Sequence, residues 1–259
     1  MIYIKSSEEI KEIRKAGKIS ADIMNNALKF VVPGVSTIDI NNKIENLMKE
    51  SNVKPWFKEV GNYKYASCIA VNEAWVHAMP SDKKLNKGDV VSIDLGVKYN
   101  KYYVDHCWTV VASEIHSDNP TFDFEHENTE IANFLKCGVD SLNKAISACV
   151  KGSRIGNISH AIQESVESAG YSVIKEYTGH GVGIKPHEDP LIPCYGTNGA
   201  GELLKVGMVF AIEVMYAIGD PKIVVDSDGW TVLTKDKKLS GMFEHTVALT
   251  DDGPEILTI

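Results

Sequence analysis

The chain lacks any long apolar run, any block of basic residues and any pair of closely spaced cysteines. No segment of its 259 residues approaches the length of a membrane span, and residues 1–9 contain no apolar core of a signal peptide. The formal net charge of -8, with Lys and Arg dispersed, would repel phosphate and argues against a nucleic-acid-binding module. These absences predict a cytoplasmic globular protein that neither enters a membrane nor binds nucleic acid.

The cysteines are odd in number and widely scattered: Cys68, Cys107, Cys137, Cys149 and Cys194. A disulfide framework or a zinc knuckle needs a closer and more regular spacing, so we expect reduced and mostly buried thiols. With 44% hydrophobic and 24% charged residues, the chain has an ordinary globular composition and can bury a substantial core.

Helical periodicity occurs in two matching passages. In the first, apolar residues predict a helix from Ser7 to the Val32-Pro33-Gly34 segment and a second helix from about Thr37. In the second, they predict helices over about 128–150 and 155–169. A constant shift of 118 aligns Gly34 with Gly152 and Ile40 with Ile158, which indicates an internal duplication.

Two apolar strands repeat in the same way. Residues 85–94 match residues 204–213 at a shift of 119, and we expect each strand to end on an acid, Asp94 or Glu213. Core packing does not explain these acids, because a buried carboxylate needs a cation or several donors. The repeat predicts one domain over 1–259 with pseudo-twofold halves of about 1–118 and 119–259. The two acids would face each other across the axis, with a site between the halves.

A hairpin is predicted from strands over 90–96 and 102–111. A turn centred just after Tyr99 would place Asp94 directly opposite Asp105 on one face of the sheet. Like charges directly opposite each other destabilise a sheet, so this pairing needs a metal, another cation or a shared proton. A different register would send one acid to solvent, and this alternative stays open.

Further candidate ligands are Glu244, in an apolar strand over 240–249, and His180, which lies between two glycines. Those glycines would let backbone pack closely around the imidazole and adopt φ values that other residues avoid. The complete set is four acids and one imidazole: Asp94, Asp105, Glu213, Glu244 and His180. Four carboxylates neutralise two divalent ions, and oxygen ligands with a single nitrogen suit Mn, Fe, Co or Zn.

Such a site predicts hydrolase chemistry. A pair of divalent ions lowers the pKa of a shared water and stabilises the anion formed by attack on a carbonyl. His77 and His187 each begin a His-x-x-Pro sequence and could donate to the substrate amide and its developing oxyanion. Glu213 could carry the proton from the attacking water to the leaving nitrogen. The two histidines could instead be ordinary loop residues.

These residues stand in a pattern that resembles the type I methionine aminopeptidases from Ser7 to Leu249. The resemblance rests on residues 68–73 followed by His77, Ile93-Asp94 with Asp105 eleven residues after Asp94, residues 179–183 with His187-Glu188, residues 211–213, residues 228–231 and residues 243–246. It implies an α+β pita-bread fold, with an antiparallel sheet core, flanking helix pairs and a dinuclear metal site between the halves. It also implies removal of the initiator methionine from nascent proteins when the second residue is small.

The resemblance further implies a role for each site residue. Asp94 and Asp105 would hold one ion, and Asp105 and Glu244 would bridge it to a second. His180 and Glu213 would complete the second ion, while His77 and His187 would contact substrate. The methionine side chain would meet apolar walls from Cys68, Trp230 and Tyr63, with Tyr63 favoured over Tyr65. Because a thioether prefers polarizable partners, these walls suit it, although Cys68 could equally be core.

Two features depart from the family pattern. Pro186 stands where the family commonly has an aromatic residue, so one pocket wall is lost or supplied from elsewhere. His106 replaces a smaller residue after Asp105, and we expect it to put a titratable ring beside the metals. The polar, acidic stretch from Glu114 to Glu130 is expected to be a surface connection between the halves.

Alternatives within and outside peptidase chemistry remain. Xaa-Pro aminopeptidases and prolidases share the ligands and the halves, but they typically carry an extra N-terminal domain, whereas here the helices begin almost at once. A non-catalytic binding relative would lose ligands, and a paralogue could have altered specificity. No basic or zinc-finger-like extension precedes Ser7, which fits the short bacterial form. The expected partner is the N-terminal peptide of nascent chains near the ribosome, and the expected state is a monomer.

Overall fold

Four helices form where the periodicity predicts them. The computed structural model describes residues 2–113 and 129–259. Its helices are α1 (Ser7–Leu28), α2 (Thr37–Glu50), α3 (Thr129–Ala148) and α4 (Ile155–Ser168). The predicted helix start at residue 128 and nearly all of the predicted connection over 114–130 lie outside the described residues. None of the described helices is long and apolar enough to cross a membrane.

Local side-chain caps explain where the first two helices begin. Ser6 precedes α1, its hydroxyl accepts a hydrogen bond from Glu9 N, and the Glu9 carboxylate accepts one from Ser6 N. Ser36 and Asp39 form the same reciprocal pair at the start of α2. Such a capping box satisfies two of the amide groups that a helix leaves without partners at its first turn.

The strands form one large antiparallel sheet and one small one. They are β1 (Lys54–Pro55), β2 (Ser67–Val71), β3 (Ala74–Val76), β4 (Val90–Tyr99), β5 (Tyr102–Val111), β6 (Ser172–Val173), β7 (Thr178–Gly181), β8 (Glu188–Pro193), β9 (Val209–Ala217), β10 (Ile223–Val225), β11 (Val232–Thr234), β12 (Ser240–Thr250) and β13 (Gly253–Ile256). The large sheet runs β1-β4-β5-β12-β9-β7-β8, with β2 beside β4, β6 beside β9 and β13 beside β12. The small sheet runs β10-β11-β3.

The helix pairs cover this sheet in a repeated arrangement. Helix α1 packs on β4 and β5, while α3 packs on β9 and β12. Gly34 and Gly152 both have φ of 87°, in the left-handed region that glycine tolerates best. Gly34 N donates to Leu85 O at 2.8 Å, and Gly152 N donates to Leu204 O at 3.2 Å. Residues related by the sequence shift therefore adopt the same backbone conformation and make equivalent contacts.

The β4–β5 hairpin differs in register from the prediction. Tyr99 pairs with Tyr102, so the turn is Asn100-Lys101 and lies one position further along the chain. Asp94 is opposite Cys107, and Asp105 is opposite Gly96, so the predicted direct opposition of the two acids is wrong. The displacement is two residues, and side chains alternate with a period of two, so both acids still share one face.

The acids also lie within their strands, and the expectation that the strands end there is wrong. Strand β4 continues from Asp94 to Tyr99, and β9 continues from Glu213 to Ala217. The residues that follow each acid are mostly apolar and buried, so the ladder extends through them into the core.

Candidate metal centre

A row of side chains crosses five adjacent strands on one face of the sheet. In the order β2, β4, β5, β12 and β9, the residues directly opposite one another are Cys68, Asp94, Cys107, Glu244 and Glu213. Directly opposite positions in an antiparallel sheet present their side chains to the same face. The pairing therefore places three acids from distant parts of the chain on one surface.

The other two predicted ligands are displaced from this row by two residues along their strands. Asp105 lies two positions before Cys107 on β5, and His180 on β7 is opposite Ala211, two positions before Glu213. His180 Nε2 lies 3.8 Å from Asp105 Oδ2 and 3.5 Å from Glu213 Oε1. Oxygens of Asp94, Asp105 and Glu244 all lie within 4.8 Å of one another. The structure thus brings all five predicted ligands together.

The glycines beside His180 are required by close packing. A Cβ on Gly179 would lie 2.5 Å from Ala211 O, and one on Gly181 would collide with Asp189 O. Neither glycine has a positive φ, so the expectation of unusual φ values is wrong at these positions. His180 Nδ1 lies 2.8 Å from Gly181 O, and a proton donated there leaves the Nε2 lone pair directed towards the acids.

Two threonines hold Asp105 and Glu244 in place where β5 meets β12. Only Glu244 and Cys107 pair directly between these strands. On one side of that pair, Thr246 Oγ1 donates to Asp105 O at 2.8 Å and accepts from Asp105 N at 2.9 Å. On the other, Thr109 Oγ1 donates to Met242 O at 2.6 Å and accepts from Met242 N at 3.1 Å. The threonine side chains thus replace backbone bonds on both sides of Glu244.

Burial makes this cluster electrostatically unfavourable without a cation. Burial raises the pKa of Asp94 to about 7. Burial and neighbouring carboxylates raise the pKa of Asp105, Glu213 and Glu244 well above its ordinary value. Burial, with a smaller effect of His187, lowers the pKa of His180 to about 3, so the imidazole is neutral and does not offset the charge.

The acceptors of the cluster fit a bound cation. Asp94 Oδ1 and both carboxylate oxygens of Glu244 are buried and find no hydrogen-bond partner within residues 2–113 and 129–259. Carboxylates left in that state are costly, and metal coordination satisfies them. Oxygen donors with one imidazole form the ligand set that divalent transition metals accept.

The acids open onto a cavity of about 340 Å³. The proposed pocket residues Cys68, Tyr63 and Trp230 line it, whereas Tyr65 does not line it and contacts Tyr63 edge-to-face at 5.7 Å between ring centroids. Tyr63 OH donates to Ser67 O at 3.0 Å, and its ring lies 5.1 Å from that of Trp230. One end of the cavity is thus walled by aromatic rings and a thiol, next to Asp94.

His77 and His187 both line the cavity. His77 is half-buried with φ of 56°, and His187 is exposed at the mouth. In the part of the chain that the structure describes, neither imidazole has a hydrogen-bond partner. Burial lowers the pKa of both rings, and His187 lowers that of His77 further, so both are neutral at pH 7. Each ring therefore has an N–H available to a bound molecule.

This arrangement of ligands agrees with the comparison to known families. The model of metallopeptidase family M24 matches residues 11–251. The chain belongs to metallopeptidase family M24. The methionine aminopeptidase of Clostridium acetobutylicum is 40% identical over 260 residues, which cover 100% of this chain and 99% of that protein. That level of identity over the full length places the chain with the methionine aminopeptidases of M24.

Solved structures of M24 proteins support the fold. The crystal structure of methionine aminopeptidase from Thermotoga maritima matches with a TM-score of 0.92 at 42% identity, and covers 100% of this chain and 99% of that chain. The pita-bread fold is therefore confirmed. The prolidase from Pyrococcus horikoshii matches with a TM-score of 0.74 at 25% identity, and covers 99% of this chain but 63% of that chain. Similarity to prolidase is weaker in both sequence and structure.

His106 does not lie beside the M24 metal centre, so that expectation is wrong. It follows Asp105 on β5, and alternation turns its side chain to the opposite face of the sheet. There its ring lies 5.1 Å from His245 and 6.4 Å from Trp108, fully enclosed in the core. Pro186, the other departure from M24 methionine aminopeptidases, does not line the cavity.

Several residues that line the cavity were not predicted from the sequence: Trp56, Phe57, Val60, Val76, Glu176, Tyr177, Thr178, Leu191, Met215 and Met242. Met215 and Met242 had a usable signal, because each lies two positions from a proposed ligand, Glu213 or Glu244, and must share its face. No such signal marks Trp56 and Phe57, because they follow a two-residue strand whose position depends on tertiary pairing with β4.

Proposed function

We propose that this protein removes the initiator methionine from nascent proteins whose second residue is small. The observation that supports it most directly is that one cavity contains both the proposed metal ligands and an aromatic compartment. The buried acids Asp105, Glu213 and Glu244 line this cavity with the partly buried Asp94 and with His180, and the aromatic compartment with Cys68 lies beside Asp94. Such a cavity suits an apolar thioether side chain next to a hydrolytic centre.

Two divalent ions would be held by the five converging side chains: Asp94, Asp105, His180, Glu213 and Glu244. Asp94 and Asp105 would hold one ion, Asp105 and Glu244 would bridge, and His180 and Glu213 would complete the second. When bound, such ions supply a nucleophilic water near neutral pH and stabilise the anion that forms on the substrate carbonyl. Mn, Fe, Co and Zn all suit this donor set.

The side chains of the protein would bind, orient and move protons. Glu213, which lies directly opposite Glu244, could accept the proton of the attacking water and deliver it to the leaving nitrogen. The neutral imidazoles of His77 and His187 would donate to the substrate amide and the developing oxyanion. Cys68, Tyr63 and Trp230 would contact the methionine side chain.

The proposed function also concerns the cellular location and the oligomeric state of the protein. An initiator methionine is exposed as a nascent chain leaves the ribosome, so the protein would act in the cytoplasm close to that exit. All five proposed ligands come from one chain, which is compatible with a monomer acting as a single catalytic domain.

A direct test compares the peptides Met-Ala-Ser and Ala-Pro-Ser after exhaustive chelation and addition of Mn, Co, Fe or Zn in separate reactions. We expect no turnover after chelation, recovery with at least one of these metals, and faster cleavage of Met-Ala-Ser. Faster cleavage of the Ala-Pro peptide would instead indicate an Xaa-Pro aminopeptidase. Full activity in the chelated protein would exclude the metal mechanism.

Metal binding is expected to release protons at pH 6 and to tighten as the pH rises from 6 to 8. Asp94 has a pKa of about 7 without metal, and the neighbouring acids are also raised, so part of the cluster is protonated at pH 6. Ligands must be ionised to bind, so the metal displaces these protons. Calorimetric titration with Mn in two buffers of different ionisation enthalpy measures the release. An apparent affinity that is constant over this range would contradict the assignment of the ligands.

A further inference from the structure

Trp56 is a fully enclosed tryptophan at the edge of the cavity, only 2% exposed. It begins a short 3-10 turn (Trp56–Glu59) directly after β1, whose Pro55 pairs with Val97 on β4. Its indole Nε1–H donates to Val104 O at 3.0 Å. A Cβ on Gly96 would collide with the indole, so the ring lies flat against β4 at that glycine. Trp56 is thus fixed by a hydrogen bond and by close packing.

His187 lines the cavity with a side chain that ring contacts hold in place. Within residues 2–113 and 129–259 its imidazole makes no hydrogen bond, and the residue is exposed. Its ring has two close ring neighbours, His180 at 4.4 Å and Trp56 at 5.3 Å between centroids. The Trp56 contact is edge-to-face, with 88° between the planes, a geometry that favours one ring orientation over others.

We propose that Trp56 is the positioning residue for His187. The proposal rests on the proposed function, in which His187 donates a hydrogen bond to the substrate. The carbonyl that holds the indole belongs to Val104, and the next residue on the strand is Asp105. Trp56 therefore links the His187 imidazole to β5, the strand that carries the proposed metal ligand Asp105. An imidazole and a carboxylate fixed to one strand keep a constant separation, and catalysis is sensitive to displacements of about 1 Å.

The alternative role for Trp56 is a passive apolar wall of the methionine compartment, where it contacts Phe57 at 4.5 Å between ring centroids. The two roles predict different dependences of the Trp56 substitution on the presence of the His187 imidazole. A positioning residue acts only through His187, so its effect disappears when the imidazole is absent. A wall acts on the methionine side chain, so its effect persists and falls on KM.

A double-mutant cycle of Trp56→Leu and His187→Ala decides between them, with kcat and KM measured separately on Met-Ala-Ser. We expect Trp56→Leu alone to lower kcat roughly 10- to 100-fold. In the His187→Ala background, Trp56→Leu is expected to change kcat less than twofold. Trp56→Phe keeps an aromatic edge without the Nε1–H bond, and we expect an intermediate loss. Additive effects, or a loss confined to KM, would overturn the proposal.

Two controls separate this result from loss of folding and from failure of the proposed function. Trp108→Phe alters a buried indole on the opposite face of the sheet and is expected to leave kcat and KM unchanged. Thermal melts establish whether each variant is folded. If Trp56→Leu does not fold, Trp56→Phe provides the milder change. Wild-type turnover of Met-Ala-Ser tests the proposed function independently, so additive effects beside normal wild-type activity would overturn only the role of Trp56.

Discussion

Glu213→Gln is expected to lower kcat on Met-Ala-Ser by roughly 10²- to 10⁴-fold while the protein remains folded. The amide has nearly the shape of the carboxylate but cannot carry the proton to the leaving nitrogen. Glu213 is buried directly opposite Glu244, and burial together with Asp94 raises its pKa. Removing one charge from this cluster relieves repulsion, so the metal-free melting temperature should not fall. Single-turnover kinetics and thermal melts measure the two effects.

Metal content separates the two contributions of Glu213 to catalysis. Elemental analysis of the purified variant shows whether the loss follows weaker metal binding or the missing proton acceptor. Glu202→Gln is the matched control, because Glu202 is exposed and distant in sequence from the proposed ligands. We expect its kcat to equal that of the wild type. Activity of Glu213→Gln within tenfold of the wild type would refute its proposed role.

Lys5→Met is expected to destabilise the protein by about 3–5 kcal/mol. Lys5 Nζ lies 2.6 Å from Glu188 Oε2, and their side chains are 1% and 6% exposed. The second oxygen of Glu188 accepts from Ile184 N at 2.7 Å and Lys185 N at 2.8 Å. Removing the ammonium leaves the buried carboxylate of Glu188, the residue that follows His187, without its cation. Urea unfolding at fixed metal concentration measures the change.

A second substitution tests whether the unpaired Glu188 carboxylate causes the loss of stability. In Lys5→Met/Glu188→Gln, the neutral amide can still accept from both backbone amides, so the double variant should be more stable than Lys5→Met alone. Lys15→Met removes an exposed partner of Glu12 and serves as the control, with an expected change below about 1 kcal/mol. A double variant less stable than Lys5→Met would contradict the unpaired Glu188 carboxylate as the cause of the destabilisation.

Features set by near neighbours in the chain were predictable. The four helices were located from apolar spacing and from the Pro and Gly residues that end them, and the first two begin at capping pairs three residues apart, such as Ser36 and Asp39. The shared face of Asp94 and Asp105 was also predicted, because it needs only the period-two alternation of strands and a turn with an even number of residues. The exact cross-strand partners of the two acids were not predictable, because moving the turn by one residue shifts every cross-strand pair by two residues.

The sequence alone determined the candidate residues for the chemistry: four acids inside apolar strands, taken together with a histidine between glycines, predict a metal site. Only the tertiary structure decided how they meet. Thr246 contacts Asp105 across 141 positions of the chain, and Trp56 reaches Val104 across 48. Such contacts depend on how distant strands pack, and no local propensity encodes that packing. For this reason the candidate ligands could be named from the sequence, whereas the contact between Trp56 and His187 and the direction of the His106 side chain emerged from the fold.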